Sequence, residues 1–278
     1  MVSQEQRRRQ LAREKFLRQQ QRRTEARRRS RLRNSVIASV LGVVVIGSVA
    51  LYTTGVLKDD GKTDAGAQTT PGASPSAPPS KAPDPCAKPA AGSVKKLSWK
   101  KEPAMTIDTS AKYTMKLATT CGDIGIALKT SAAPHTVNSF AFLADKGYFD
   151  HTKCHRLTVQ GIFVLQCGDP QGSGMGGPGY TIPDENLKDT SLKGGTYPAG
   201  TVAMANTGQK HTGGSQFFLV YKDSPLPPQY SPFGTIDAAG MKVLKKIAAA
   251  GAQPADPTSQ NTAPNATVVI NRATVAKS

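Results

Sequence analysis

The sequence predicts a mainly β domain, a closed barrel with two helices, at the end of a chain that starts with a basic helix, a membrane-length helix and a disordered linker. Short runs of alternating apolar residues recur after residue 105, and only two stretches there have helical spacing. Those two lie far apart, instead of alternating with strands as a βαβ sheet requires. Composition also shifts abruptly along the 278 residues, so the formal charge of +17 sits mostly at one end.

Residues 1–34 form the basic tail, in which thirteen Lys and Arg stand against Glu5, Glu14 and Glu25. A nucleic-acid tail is the competing reading of such a block. Its position directly against an apolar run favours attraction to anionic lipid instead, and no nucleic-acid partner is expected. That run, residues 35–57, carries no charge. As a helix it would extend about 35 Å, against about 30 Å of bilayer core. Arginines on one flank only put the N-terminus in the cytoplasm and all that follows outside the cell membrane, with one pass. A cleaved signal peptide is the rival, because Ser48-Val49-Ala50 has the small-x-small form of a cleavage site. The long basic lead favours an uncleaved anchor.

Residues 58–104 hold eight of the twenty prolines among Ala, Ser, Thr and Gly, without apolar periodicity. Such a segment cannot bury enough surface to offset its ordering entropy, so it reads as an extended tether. Trp99, the only tryptophan, marks where the tether begins to touch the folded part.

Residues 105–278 are the globular domain, long enough for one core. Tyr113, Met115 and Leu117, then Ile124, Ile126 and Leu128, alternate on either side of "TTCGD" and predict two antiparallel strands and a turn. Pro134 opens a helix with Val137, Phe140, Ala141 and Ala144 on one face, and Gly147 stops it. "KCHRL" and "IFVLQCG" form a second strand pair, and "GTVAMAN", "SQFFLVY" and "TVVINRATV" supply further strands. A second helix covers about 238–250, with Met241, Leu244 and Ile247 inward and Gly251 capping it.

Cys86, Cys121, Cys154 and Cys167 all fall on the side expected to be oxidising, where disulfides persist. Four cysteines allow three full pairings, and the sequence does not choose among them. With a tight turn between their strands, Cys154 and Cys167 would face each other across the ladder; free thiols in the core are the alternative. A zinc site from Cys154, His155 and Cys167 lacks the spacing such sites use, and no metal is expected. Two other motifs are discounted. In "GSGMGGPGY" the glycines match G-x-G-x-x-G, but Pro178 and the lack of a following helix point to a flexible loop. His155, Asp169 and Ser215 lack the G-x-S-x-G elbow of a hydrolase triad.

The blocks "FAFLADKGYFD", "CHRL", "GIFVLQCGDP", "GYTIPDEN", "GTVAMAN", "GGSQFFLVY" and "FGTI", in that order, resemble the cyclophilin peptidyl-prolyl isomerases over residues 110–275. The layout of basic tail, membrane segment and tether resembles membrane-anchored bacterial members. The resemblance implies an eight-stranded antiparallel barrel closed by two helices. It also implies an enzyme that rotates X-Pro bonds without a cofactor, with Arg156 as donor to the prolyl nitrogen. Gln166 would lie across the strand pair from Arg156, holding its guanidinium or meeting the substrate carbonyl, with Phe163 as the third catalytic position. Val164, Phe218 and Leu226, with Phe163, would grip the proline ring. Ala205, Asn206 and Thr207 would flank the peptide, and His155, Gln216 and Tyr230 complete the implied binding set. "LTVQGI" is two residues longer than the family's usual turn, "TGQKHTGG" one longer, and Tyr230 stands where histidine is common. The resulting expectation is a monomeric isomerase acting on unfolded or extended proline-containing polypeptides, exported or of the cell envelope. The competing one is a non-catalytic proline-peptide binding module or holding chaperone tethered at the membrane.

Overall fold

The computed structural model describes residues 83–256 and 261–278. The basic tail, the expected membrane helix and the first part of the linker lie outside the described residues. No helix among the described residues is long and apolar enough to cross a membrane.

The first hairpin follows the alternation in the sequence. β1 (Tyr113–Thr119) pairs antiparallel with β2 (Gly122–Leu128), placing Leu117 opposite Ile124 and Met115 opposite Ile126, all four buried in the core. α1 (Pro134–Asp145) starts at a proline, whose missing N–H costs nothing in a first turn. The next amide donors, His135 N and Thr136 N, are taken by the Glu185 carboxylate at 3.0 and 2.8 Å, so a distant loop caps this helix. α1 buries Phe140, which packs on Phe233, Phe149 and Phe217 at ring-centroid distances of 4.6, 5.3 and 5.5 Å.

Short strands follow: β3 (Thr152–Lys153), β4 (Arg156–Leu157), β5 (Val164–Cys167), β6 (Thr196–Tyr197), β7 (Thr201–Met204), β8 (Phe217–Val220), β9 (Ser224–Pro225) and β10 (Pro232–Ile236). α2 (Ala238–Ala249) is capped by the Asp237 carboxylate, which accepts from Gly240 N at 2.6 Å, and buries Leu244 and Ile247. β11 (Val269–Lys277) returns beside β1.

The closed eight-stranded barrel expected from the resemblance is not found. Among the described residues, nine strands form one curled, open antiparallel sheet in the order β3-β11-β1-β2-β10-β7-β8-β5-β4, and β6 and β9 form a separate pair. The reason lies in the edges. β3 and β4 are two-residue strands with Cys154 and His155 between them; β3 pairs with β11 and β4 with β5, so they end the sheet at opposite edges without bonding to each other. The domain is a mainly β half-barrel with two helices.

The tether expected over 58–104 is corrected for its described part, residues 83–104, which form a strap bound to the domain. Cys86 is disulfide-bonded to Cys121 in the β1–β2 turn, and Ala87 N donates to Thr120 O at 2.8 Å. The Trp99 ring packs edge-on to Phe142 at 5.0 Å and against Tyr148 at 6.0 Å. Asn138 on α1 receives Thr106 N at 3.0 Å and donates to Ala104 O at 3.0 Å. A segment poor in apolar residues is thus ordered by covalent linkage, one aromatic anchor and side-chain bonds to its backbone, none of which needs hydrophobic periodicity.

Candidate active site

Strand alternation gives the wall β7–β8–β5–β4 two faces. Leu157, Leu165, Phe217, Leu219, Val202 and Met204 point into the main core. Val164, Ala203, Phe218 and Val220 point the other way and form a second, smaller cluster with Tyr197, to which Ile162, Leu192, Ala205, Leu226 and Tyr230 add partly exposed surface. Gln166 and Arg156 continue this outer face, since Gln166 pairs with Phe218 across β5–β8 and Arg156 pairs with Gln166 across β4–β5. The outer face is therefore an apolar shelf ending at a guanidinium.

The guanidinium is held through a chain of amides. Arg156 Nη1 donates to Gln166 Oε1 at 3.3 Å, Gln166 Nε2 donates to Gln216 Oε1 at 2.9 Å, and Gln216 Nε2 donates to Gly176 O at 2.9 Å. Each amide uses its oxygen for one neighbour and its nitrogen for the next, which fixes both flips and aims Arg156 from one side. The far end of the relay is itself anchored. Asp169 is fully buried, and its carboxylate accepts from Gln171 N (2.7 Å), Ser173 N (2.9 Å) and Gly174 N (2.6 Å). Burial raises its pKa, but bonds from the Gln171, Gly176 and Gly174 amides outweigh that and hold it below the ordinary carboxylate value. Gly176 lies against this carboxylate with no room for a Cβ, so the glycine-rich loop is pinned at the residue that receives Gln216.

The shelf has its own supports. Phe218 meets Tyr230 edge-on at 5.4 Å. The Tyr197 hydroxyl donates to Tyr230 O at 2.8 Å and accepts from Tyr230 N at 3.1 Å, fixing the backbone that carries that ring. Burial pushes the Tyr197 phenol up to about 12, so it stays a donor at any physiological pH.

The structure brings Arg156, Gln166, Val164, Phe218, Leu226, Tyr230 and Gln216 to this one face. Phe163 is half-buried but outside the shelf cluster: its ring meets Tyr221 edge-on at 5.9 Å and lies under Lys222 Nζ at 4.6 Å, at the lip of the β4–β5 turn. His155, one of the binding residues implied by the resemblance, is only 6% exposed, and its ring nitrogens have no hydrogen-bond partner among the described residues. It lies in the connection between β3 and β4, where Cys154 and His155 are both buried. Burial lowers the His155 pKa, Asp169 pulls it back up and Arg156 lowers it further. Cys154, shortly before β4, and Cys167, the last residue of β5, form a disulfide, which removes them from any metal-ligand set.

Ala205, Asn206 and Thr207 line a neighbouring cleft of ≈ 1050 Å³ that meets the relay at Gln166 and Gln216. Ala205 N donates to Gln216 O at 3.0 Å, and Asn206 Nδ2 donates to Gln229 O at 2.8 Å. Sequence reasoning missed Tyr197, Ala203 and Gly176; only the outward alternation of Ala203 and Phe218 about their strands was there to find.

A curled antiparallel half-barrel with two helices, carrying a glutamine-held arginine beside an apolar shelf, is the class of domain that fold and site define. The family model described as cyclophilin type peptidyl-prolyl cis-trans isomerase/CLD matches residues 114–275, more than half of the chain, and the chain belongs to that family. A "Probable peptidyl-prolyl cis-trans isomerase B" of Mycobacterium leprae is 45% identical over 175 residues, covering 60% of this chain and 58% of that protein. One of the same name from Mycobacterium tuberculosis is 46% identical over 149 residues, covering 51% and 48%. The chain thus spans about half the length of these curated relatives. A crystal structure of a Cryptosporidium parvum cyclophilin type peptidyl-prolyl cis-trans isomerase is 25% identical, with a TM-score of 0.47, over 60% of this chain and 99% of that one.

Proposed function

We propose that this chain is a peptidyl-prolyl cis-trans isomerase in which the Arg156 guanidinium donates to the prolyl nitrogen of a twisted X-Pro bond. Rotation must break amide resonance, a barrier of about 18–20 kcal/mol. Once twisted, the nitrogen lone pair leaves resonance and becomes a hydrogen-bond acceptor. A donor fixed at that point stabilises the twisted form more than either planar form, and each 1.4 kcal/mol of that difference is worth about tenfold in rate. No σ bond forms or breaks and no electron leaves the peptide, so the step asks nothing of a cofactor.

One observation carries this reading: Arg156 is tied to Gln166 through a single nitrogen, at 3.3 Å, beside an apolar shelf. An always-charged, planar donor with its remaining N–H groups uncommitted to Gln166 suits the role. Val164, Phe218, Leu226 and Tyr230 would seat the proline ring, and Phe163 at the lip would cover it. Because the Asn206 side chain is engaged with Gln229 and Gly208, residues 205–207 would meet the peptide through main chain.

The proposal extends to place and clients. The uncharged run at 35–57 behind a basic tail would anchor the protein in the cell membrane, the tail against anionic lipid and the isomerase domain outside. The pairing of all four cysteines supports an oxidising compartment. Substrates there would be exported or envelope polypeptides, whose folding waits on slow proline steps.

The test is NMR exchange spectroscopy of a proline tetrapeptide with and without the full chain in detergent. Acceleration of cis-trans exchange at substoichiometric protein is expected. Peptide binding without acceleration would leave a proline-peptide binding module and defeat the enzymatic reading.

A further inference from the structure

We infer that the strap makes this isomerase selective for prolines flanked by acidic residues, through Lys100 and Lys101 on the wall of the cleft beside the relay. The inference rests on the isomerase reading for its substrate and adds the chemistry of the flanking residue. The strap lies outside the family match, which begins at residue 114.

The cleft is lined by Gln166, Gln216 and residues 205–207, by the glycine-rich loop, and by strap residues 100–102. A peptide whose proline sits on the shelf must run past Gln166 and Gln216 into this space at one of its ends. Among its lining residues the only charged side chains are Lys100, Lys101 and Glu102. Glu102 is already engaged, with Oε1 2.7 Å from His135 Nδ1. Lys100 and Lys101 are exposed, and neither makes an ion pair with a described residue. The cleft therefore presents two cations to the peptide against one carboxylate, which is already hydrogen-bonded to His135.

The strap is held where this matters. Trp99 N donates to Pro178 O at 2.8 Å on one side of the lysine pair, and on the other Glu102 binds His135 and Asn138 takes up the 104–106 backbone. Gly179, at φ 88°, approaches so closely that a Cβ would run into Ser98 Oγ and the Trp99 carbonyl. The backbone of Lys100 and Lys101 is thus fixed from both ends, and only the side chains remain to be ordered by a ligand. That lowers the entropy cost of using them.

The experiment compares peptides that differ only in Glu, Gln or Lys at each position flanking proline, using the full chain and its Lys100→Gln/Lys101→Gln form. Two readouts are taken: exchange rates by NMR, which avoid a coupling protease's own preferences, and Kd by titration calorimetry. At low salt, Glu should exceed Gln by about three- to tenfold in kcat/KM and in affinity at one flanking position, with Lys below Gln. The Glu/Gln ratio should fall towards one in the double variant, and in the parent at about 1 M salt, where the Debye length is about 3 Å. A ratio near one at every flanking position in the parent, or a ratio unchanged by the double substitution, overturns the inference. If no peptide is accelerated, the isomerase reading fails separately. The affinity ratios then still decide whether the cleft selects acidic flanks.

Discussion

Arg156 on β4 and Gln166 on β5 are direct partners across one antiparallel pair, and their side chains meet at 3.3 Å on the face turned away from the main core. Side chains opposite each other on one face are in contact by construction, so the ladder itself sets this distance. The glutamine is in turn oriented by Gln216 and the glycine-rich loop, so the aim of the arginine depends on residues that never touch it.

The relay predicts the behaviour of Gln216. Gln216→Leu removes both the acceptor for Gln166 and the donor to Gly176 O, and kcat/KM on a proline peptide should fall about three- to tenfold. Combining it with Gln166→Leu should cost much less than the product of the two single losses, because residues in one network are not additive. Multiplicative losses would show that the two act independently.

Tyr197→Phe deletes the hydroxyl that both donates to Tyr230 O and accepts from Tyr230 N. Leaving those groups without a partner should destabilise the domain by about 1–3 kcal/mol, read as a lower midpoint in urea, and raise KM as Tyr230 loosens on the shelf. An unchanged midpoint would remove Tyr197 as a support of the site.

The strap and its disulfide make a redox-dependent prediction. Cys86 and Cys121 are 35 residues apart, and replacing both by Ala should cost about 2–4 kcal/mol. Hydrogen exchange at Ala87 and Trp99 should accelerate more than exchange at Leu117 in the core. Denatured protein from its host cells should gain alkylation mass only after reduction; four alkylated cysteines without reductant would contradict both bridges and the oxidising location proposed above.

His155 predicts an acid sensitivity with a definite sign. Burial depresses its pKa in the folded protein, so the unfolded chain takes up a proton below about pH 6.5 that the native state refuses. Its contribution to stability is therefore unaffected above that pH and declines as pH falls towards the folded pKa. His155→Leu should flatten the fall in Tm between pH 7 and pH 5. An equally steep fall would mean that the imidazole does not titrate against folding.

Much of this was legible from local pattern. The alternation about "TTCGD" gave the β1–β2 hairpin, Pro134 gave the start of α1, and the helical spacing after residue 237 gave α2. The resemblance placed Arg156 across the strand pair from Gln166, and a tight turn between those strands allowed the Cys154–Cys167 bridge. The open edge was not legible, because the edge strands β3 and β4 are two residues each and their partners, β11 and β5, are set by tertiary packing and not by local pattern. The strap was hidden for a physical reason: its order comes from Cys121, Phe142, Tyr148 and Asn138, all distant in sequence, while its composition alone reads as tether. Tyr197 and Lys100 reach the site from segments with no motif of their own.

The most direct test is the exchange rate of a proline tetrapeptide with the full chain and with its Arg156→Ala form, alongside circular dichroism and peptide Kd. A cationic donor that favours the twisted bond over the planar ones predicts at least a tenfold fall in kcat/KM, with the fold retained and Kd within about threefold. Equal rates from the two proteins would contradict it.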